Sequence, residues 1–328
     1  MKTGFIKASY MAMTVTISAL TLASCDYKDI EGGEILPGSE VLDIDFDFSR
    51  VDSIPRSYTV MFYSLDEEGN ALEGEVTRRD VVGRKTTVRV PPGDYAITAW
   101  NNDTHHVTVP GLNDRDSLYA TTLTLHTRAR NDPKTVIDSI FSGQRLYDYP
   151  DYMVHANVEE FTVNRNPAEQ QTLTLQPDSM VITVNCHIGG VRGLAWCSRV
   201  KGAMSNVSGK RYIASHDRRE NPVAVMFESS YDKDNDTLDG TFFIFGLSDR
   251  IEPEATDRLV LFFWLPKTCF FYPIDISGQL ERYRGKEVSH IDIIIEDLGI
   301  DLKDYLGGQG MFNLNVEDWH DIDIDIRM

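Results

Sequence analysis

Asp232, Asp234 and Asp236 in "DKDNDTLDG" repeat the alternate carboxylates that open a calcium-binding loop, and His105-His106 and Cys186-His187 offer metal ligands or proton acceptors. None of these sets completes a reactive group. An EF-hand calcium loop needs Gly at its sixth position and a bidentate Glu at its twelfth, where this chain has Thr237 and Phe243. The three aspartates therefore read as an acidic hairpin loop and a weak metal candidate only. Cys186, Cys197 and Cys269 stand at no zinc-ligand spacing; one pair could be bridged in an oxidising envelope, or all three could be buried thiols. The carboxylates at 43, 45, 47 and at 321, 323, 325 could be taken for a glycosidase acid pair. Their alternation with apolar residues makes them the wet faces of two strands instead. No G-x-S-x-G, H-E-x-x-H, Walker A or G-x-G-x-x-G occurs, so no enzyme chemistry and no cofactor is expected.

The fourth cysteine has a different setting. Lys2 and Lys7 give a short positive start, residues 8 to 24 carry no charge, and Leu22-Ala23-Ser24 place small residues before Cys25. The apolar stretch is shorter than the ~20 residues of a spanning helix, and the layout is that of a secretory signal. Leu22-Ala23-Ser24-Cys25 resembles the lipobox of bacterial lipoproteins, which implies cleavage before Cys25, acylation of its thiol and attachment to a membrane through lipid. Residues 1–24 are then a signal peptide, and 25–40, rich in acids with three glycines and a Pro, a flexible acidic tether. Its "YKDIE" resembles the acidic signal that sends lipoproteins of Bacteroides-type bacteria to the outer face of the outer membrane.

The elements that must carry these residues are strands. "VLDIDFDF" alternates Leu42, Ile44, Phe46 and Phe48 with Asp43, Asp45 and Asp47, and the same period runs through "YTVMFYS", "TTVRV", "DYAITAW", "DSMVITVNCHI", "RLVLFFWL" and "VSHIDIIIED". Only "DPKTVIDSIFSG" and "DLKDYLGG" suggest short helices. The fold class is all-β: two tandem β-sandwich domains, 41–165 and 172–328, divided at the polar "NRNPAEQQ" of 164–171. The net charge of −19 becomes −21 once Lys2 and Lys7 leave with the signal. Nucleic acid is thereby excluded as a partner, since it requires a basic footprint.

"TTVRVPPGDYAITAWNND" has a strand, a Pro-Pro-Gly turn and an aromatic strand, an arrangement that resembles the "P-x-G-x-Y" hairpin common in transthyretin-like sandwiches. Followed in order by "DSIFSGQ", "LTLQPDSMVITVNCHIGG", "RVKGAMSNVSGKRY", "TLDGTFFIFGL" and "FNLNVEDWHDIDIDI", it resembles the fimbrillin superfamily of Bacteroidetes, in particular its lipidated anchor and assembly subunits and allied domains of unknown function. The resemblance implies two transthyretin-like sandwiches and a cell-envelope role as a fimbrial anchor, assembly or adhesin-like subunit. It also implies partnership with pilin subunits by strand donation, in which one subunit completes another's sheet. Stalk subunits of that superfamily are matured by cleavage after an Arg or Lys, and the first Arg after Cys25 is Arg50. An anchor must stay joined to its lipid, so cleavage at Arg50 is disfavoured. The rival expectation is a surface glycan-binding lipoprotein of a polysaccharide-uptake system, with Trp100 and Trp319 at strand ends as its aromatic platform.

Overall fold

The computed structural model describes residues 38–125, 141, 143–218, 221–249, 256–266 and 268–306, with the strand Leu314–Asn315. Alternation dictates the first element. In β1 (Glu40–Phe46), Leu42, Ile44 and Phe46 are buried while the aspartates between them stay partly exposed. The chain continues through β2 (Ser57–Leu65), β3 (Ala71–Val82), β4 (Lys85–Val90), β5 (Gly93–Asn101), β6 (Val154–Val163) and β7 (Gln171–Leu175). They form two sheets, β7-β1-β4 and β6-β5-β2-β3, with Asp178–Ser179 added at the β6 edge. The turn "PPGDY" is closed by Tyr95, whose Oη donates to the Pro91 carbonyl at 2.9 Å, so the aromatic that opens β5 also fixes the corner before it.

The second sandwich repeats this plan. Its strands are β8 (Ile182–Ile188), β9 (Arg199–Ser208), β10 (Pro222–Glu228), β11 (Thr237–Ile244), β12 (Arg258–Leu265), β13 (Thr268–Asp275) and β14 (His290–Ile295). The sheets are β14-β8-β11 and β13-β12-β9-β10, the order of their counterparts seven numbers earlier, with Ser230–Asp232 added at the β11 edge. In both sandwiches the first strand lies between the last, in parallel, and the fourth, antiparallel. Leu314–Asn315 borders β13 as Asp178–Ser179 borders β6. The all-β class is thus the observed one, and helix among the described residues is limited to single turns such as Ser277–Leu280 and Leu302–Tyr305.

Residues 164–171, the expected boundary, connect β6 to β7, and β7 lies beside β1 in the first sandwich. The chain enters the second sandwich at Ile182, the start of β8. Leu146–Asp148, from the first half of the sequence, runs parallel to β10 at the edge of the second sandwich. The two halves share a third core. On β5, Tyr95, Ile97 and Ala99 face the first sandwich's interior. Ala96 and Trp100 on the opposite face join Met61, Tyr63, Leu118, Ala120, Met180, Ile213 and Phe245. A small sheet of Val107–Thr108, Tyr119–Thr122 and Lys210–Tyr212 joins segments from both halves.

One aromatic locks the second core. Phe227 on β10 stacks on Phe242 of β11 with ring centroids 3.9 Å apart and planes 7° from parallel. Its ring occupies the space over Gly202 and Gly240: a Cβ on Gly240 would come within 2.6 Å of it, and one on Gly202 would overlap it outright. Gly202→Ala therefore destabilises by roughly 1–3 kcal/mol through overpacking, which exceeds the ~0.5–1 kcal/mol that Ala normally gains over Gly inside a strand. Urea denaturation of the variant checks it; a midpoint at or above wild type would show that the ring moves aside at no cost.

Candidate functional site

β1 is the central strand of its sheet, so its removal would open a slot rather than trim an edge. Leu42, Ile44, Phe46 and Phe48 are 0, 1, 0 and 9% exposed. Phe46 stacks on Tyr58 of β2 at 4.2 Å between centroids, and Phe48 lies 5.8 Å from the same ring. Tyr58 donates to the Pro55 carbonyl at 2.9 Å, and burial pushes its hydroxyl pKa well up, so the slot wall stays neutral. The alternate aspartates face outward onto neighbouring strands. Asp43 accepts from Thr87 Oγ1 at 2.7 Å, Asp45 pairs with Lys85 at 2.8 Å, and Asp47 accepts from Gln176 Nε2 at 2.8 Å. The Gln176 bond, with those from Ser49, holds the Asp47 carboxyl below its ordinary range. These are the partners of a strand's wet face, as the alternation predicts.

The slot continues into an exposed turn that carries Arg50. Arg50 Nη1 lies 3.3 Å from Asp178 Oδ2, and both side chains are about half exposed. Such a pair contributes ~0–1 kcal/mol. The Arg50–Val51 peptide thus sits on the surface at the C-terminal side of β1, at the place where a cut would free the strand.

The remaining candidates separate clearly. Asp232 accepts from the backbone N–H groups of Asp234 (2.8 Å) and Asn235 (3.2 Å) and from Asn235 Nδ2 (2.7 Å), bonds that lower its carboxyl pKa and close the hairpin between β10 and β11. Among the described residues no group of three or more His, Cys, Asp or Glu side chains could hold a metal ion. Asp232 ends a short strand, and Asp234 and Asp236 lie in the turn that its carboxylate closes. His105 and His106 donate their backbone N–H groups to Asp151 Oδ2, both at 2.6 Å, and His106 Nδ1 meets Asp148 at 2.8 Å while its ring stacks on Tyr149. Cys186, Cys197 and Cys269 are unbridged and buried, and burial pushes their thiols up to about 12, 11 and 12. They are packed core thiols with little thiolate to react.

Trp100 does not supply its half of the expected platform. It is 5% exposed, because the outer face of β5 is covered by the third core instead of opening to solvent. Trp264 is likewise buried, and Trp196 is 48% exposed. Cys25, residues 25–37, Trp319 and the carboxylates at 321, 323 and 325 lie outside the described residues.

A second constellation was not visible in the sequence. His155 on β6 and His216 place their rings edge to face, 4.3 Å apart, and Arg211 lies beside them. His155 is 4% exposed. Burial, then the charges of His216 and Arg211, push its pKa down to about 3. Burial and Arg211 also lower that of His216.

A family model for a domain of unknown function, DUF5119, matches residues 24–228. No curated protein matches the chain. A candidate adhesin from Bacteroides ovatus ATCC 8483 has a similar structure, with a TM-score of 0.55 at 17% identity over 79% of this chain and 93% of that one. The fimbrial anchor protein Mfa2 from Porphyromonas gingivalis gives 0.43 at 12% identity, over 78% and 90% of the two chains. Candidate polysaccharide-binding proteins from Bacteroides thetaiotaomicron VPI-5482 give 0.46 at 14%, over 79% and 92%. At such identities the likeness is one of fold. The first of these structures carries it, and the all-β architecture is the one that the fimbrillin resemblance implied.

Proposed function

This chain belongs to the DUF5119 family, and from that premise we propose that it is a lipid-anchored protein of the cell surface, acting as a non-catalytic fimbrial anchor, assembly or adhesin-like subunit. The observation that supports this most is β1. The strand that continues from Cys25 is the central, fully packed strand of its sheet, so anchor and fold are one covalent path. The family match begins at residue 24, beside Cys25, in keeping with a shared segment that starts at the lipid. Neighbours in fold described as adhesins and as a fimbrial anchor favour the same class of role. Pilin partners would be engaged by strand donation, with main-chain ladders supplying affinity. The glycan-capture alternative loses half of its proposed platform with the burial of Trp100.

The test is peptide mapping and intact mass of the protein taken from its native outer membrane. An acylated Cys25 still joined to Val51 is the expected result, and Cys25→Ala moves the protein out of the membrane fraction. A mature chain that starts at Val51 would make it a stalk subunit and end the anchor reading.

A further inference from the structure

Where the two sandwiches meet, a cleft of ≈ 430 Å³ is lined by His155, Asp178, Arg211, His216, Arg218 and Lys286, with Glu287 and Ser289 at its side and Val181, Ile182 and Val288 supplying apolar surface. Its donors are under-used. Arg211 gives Nη1 to the Met180 carbonyl at 2.8 Å, but its buried Nε has no hydrogen-bond partner. The buried Nε of Arg218 makes no hydrogen bond either, although it forms a long ion pair with Asp249 Oδ2 at 3.5 Å. Lys286 donates to the Arg282 carbonyl at 2.7 Å, leaving two of its three N–H groups. Buried donors without acceptors are rare, since each forfeits its hydration.

Local backbone is adapted to hold these groups. Gly246, at φ +134°, lies under Arg218, and a Cβ there would overlap the guanidinium. His216 takes a left-handed φ of 61°, unusual outside glycine. Asp178 on the cleft wall faces Arg50 at 3.3 Å, which leaves two carboxylates, Glu287 on the wall and Asp249 beside Arg218, against the three cations Arg211, Arg218 and Lys286. In a chain of net charge −19, this is a pocket of positive sign.

We propose that this cleft binds a sugar acid, its carboxylate received by Arg211 and Arg218 and its hydroxyls by Asp178, Glu287 and Ser289. Guanidinium groups suit a planar carboxylate, which accepts two parallel N–H bonds. The volume lies in the range of small-molecule sites, and the mixed polar and apolar wall suits a hydroxylated ring. The assignment does not depend on the fibre role, since an anchor and an adhesin could each carry it.

Calorimetric titration of the folded chain from Cys25→Ala with glucuronate, glucose and sodium sulfate tests it. Glucuronate is expected to bind and glucose not. Arg211→Gln and Arg218→Gln should each weaken glucuronate binding about tenfold, the effect of one charge-assisted hydrogen bond. Arg218→Gln retains the Arg211 bond to Met180, so it reads the site even if Arg211→Gln disturbs the fold. Absence of glucuronate binding, equal binding of glucose, or undiminished binding by the Arg218→Gln variant overturns the proposal. Sulfate binding as tight as glucuronate also overturns it, because the ring would then contribute nothing.

Discussion

A chain that begins at Val51 fails to fold its first sandwich, and a peptide of residues 39–50 added in trans restores it. Four side chains leave with β1: Leu42, Ile44, Phe46 and Phe48, all buried. At ~1.5–3 kcal/mol for each fully buried large side chain, the loss is roughly 6–12 kcal/mol, comparable with the ~5–15 kcal/mol that holds a whole domain. Backbone groups suffer as well. β1 is paired at five positions with β7 and at six with β4, and its absence leaves two facing inner edges unpaired. Near-ultraviolet circular dichroism and thermal melting of the shortened chain, with and without the peptide, read this directly. A cooperative melt within a few degrees of the full chain would show that β1 is dispensable.

β1 was legible because one strand with one wet face leaves a strict alternation, and "VLDIDFDF" has it. Its position in the sheet was not, because the partners at Gln171–Leu175 and Lys85–Val90 are chosen by topology and leave no mark near β1. For the same reason the polar stretch 164–171 looks like a domain border, while the strand that follows it returns to the first sandwich. The sequence did contain a sign against an exposed Trp100. In "DYAITAW" the residues between the core positions include Ala96 as well as Trp100, and both faces of β5 prove to be covered. The cleft between the sandwiches had no such sign. His155, Arg211, His216 and Arg218 come from separated segments, and no spacing joins them before the two halves pack.

Acidification from pH 7 to pH 5 lowers the folding stability by about 2 kcal/mol through His155 alone. Its folded pKa is about 3, against ~6.5 in an unfolded chain. Above pH 6.5 the imidazole is neutral in both states and contributes no pH dependence. As pH falls below 6.5 the unfolded chain takes up a proton that the folded chain refuses, so stability declines until pH reaches about 3. The 1.5 pH units between 6.5 and 5, at ~1.36 kcal/mol each, give the ~2 kcal/mol. The refusal comes from burial first, then from His216 and Arg211, which face the ring. His216 acts in the same direction: burial and Arg211 lower its pKa, opposed by Glu287, Asp178 and Asp217. Urea denaturation at pH 7 and pH 5 provides the measurement. His155→Gln, which cannot titrate, should shrink the difference between the two pH values by about 2 kcal/mol; an unchanged difference would place the acid sensitivity elsewhere.

The central position of β1 also decides how the molecule bears force. For a pull directed along the axis of β1, the hydrogen bonds to β7 and β4 lie across the load. Both ladders are then loaded in shear, and all their bonds share the tension together. An edge strand pulled outward would peel, one bond after another, at a much smaller force. Tension in that direction therefore meets a riveted joint, and the sandwich yields only when both rows give way at once.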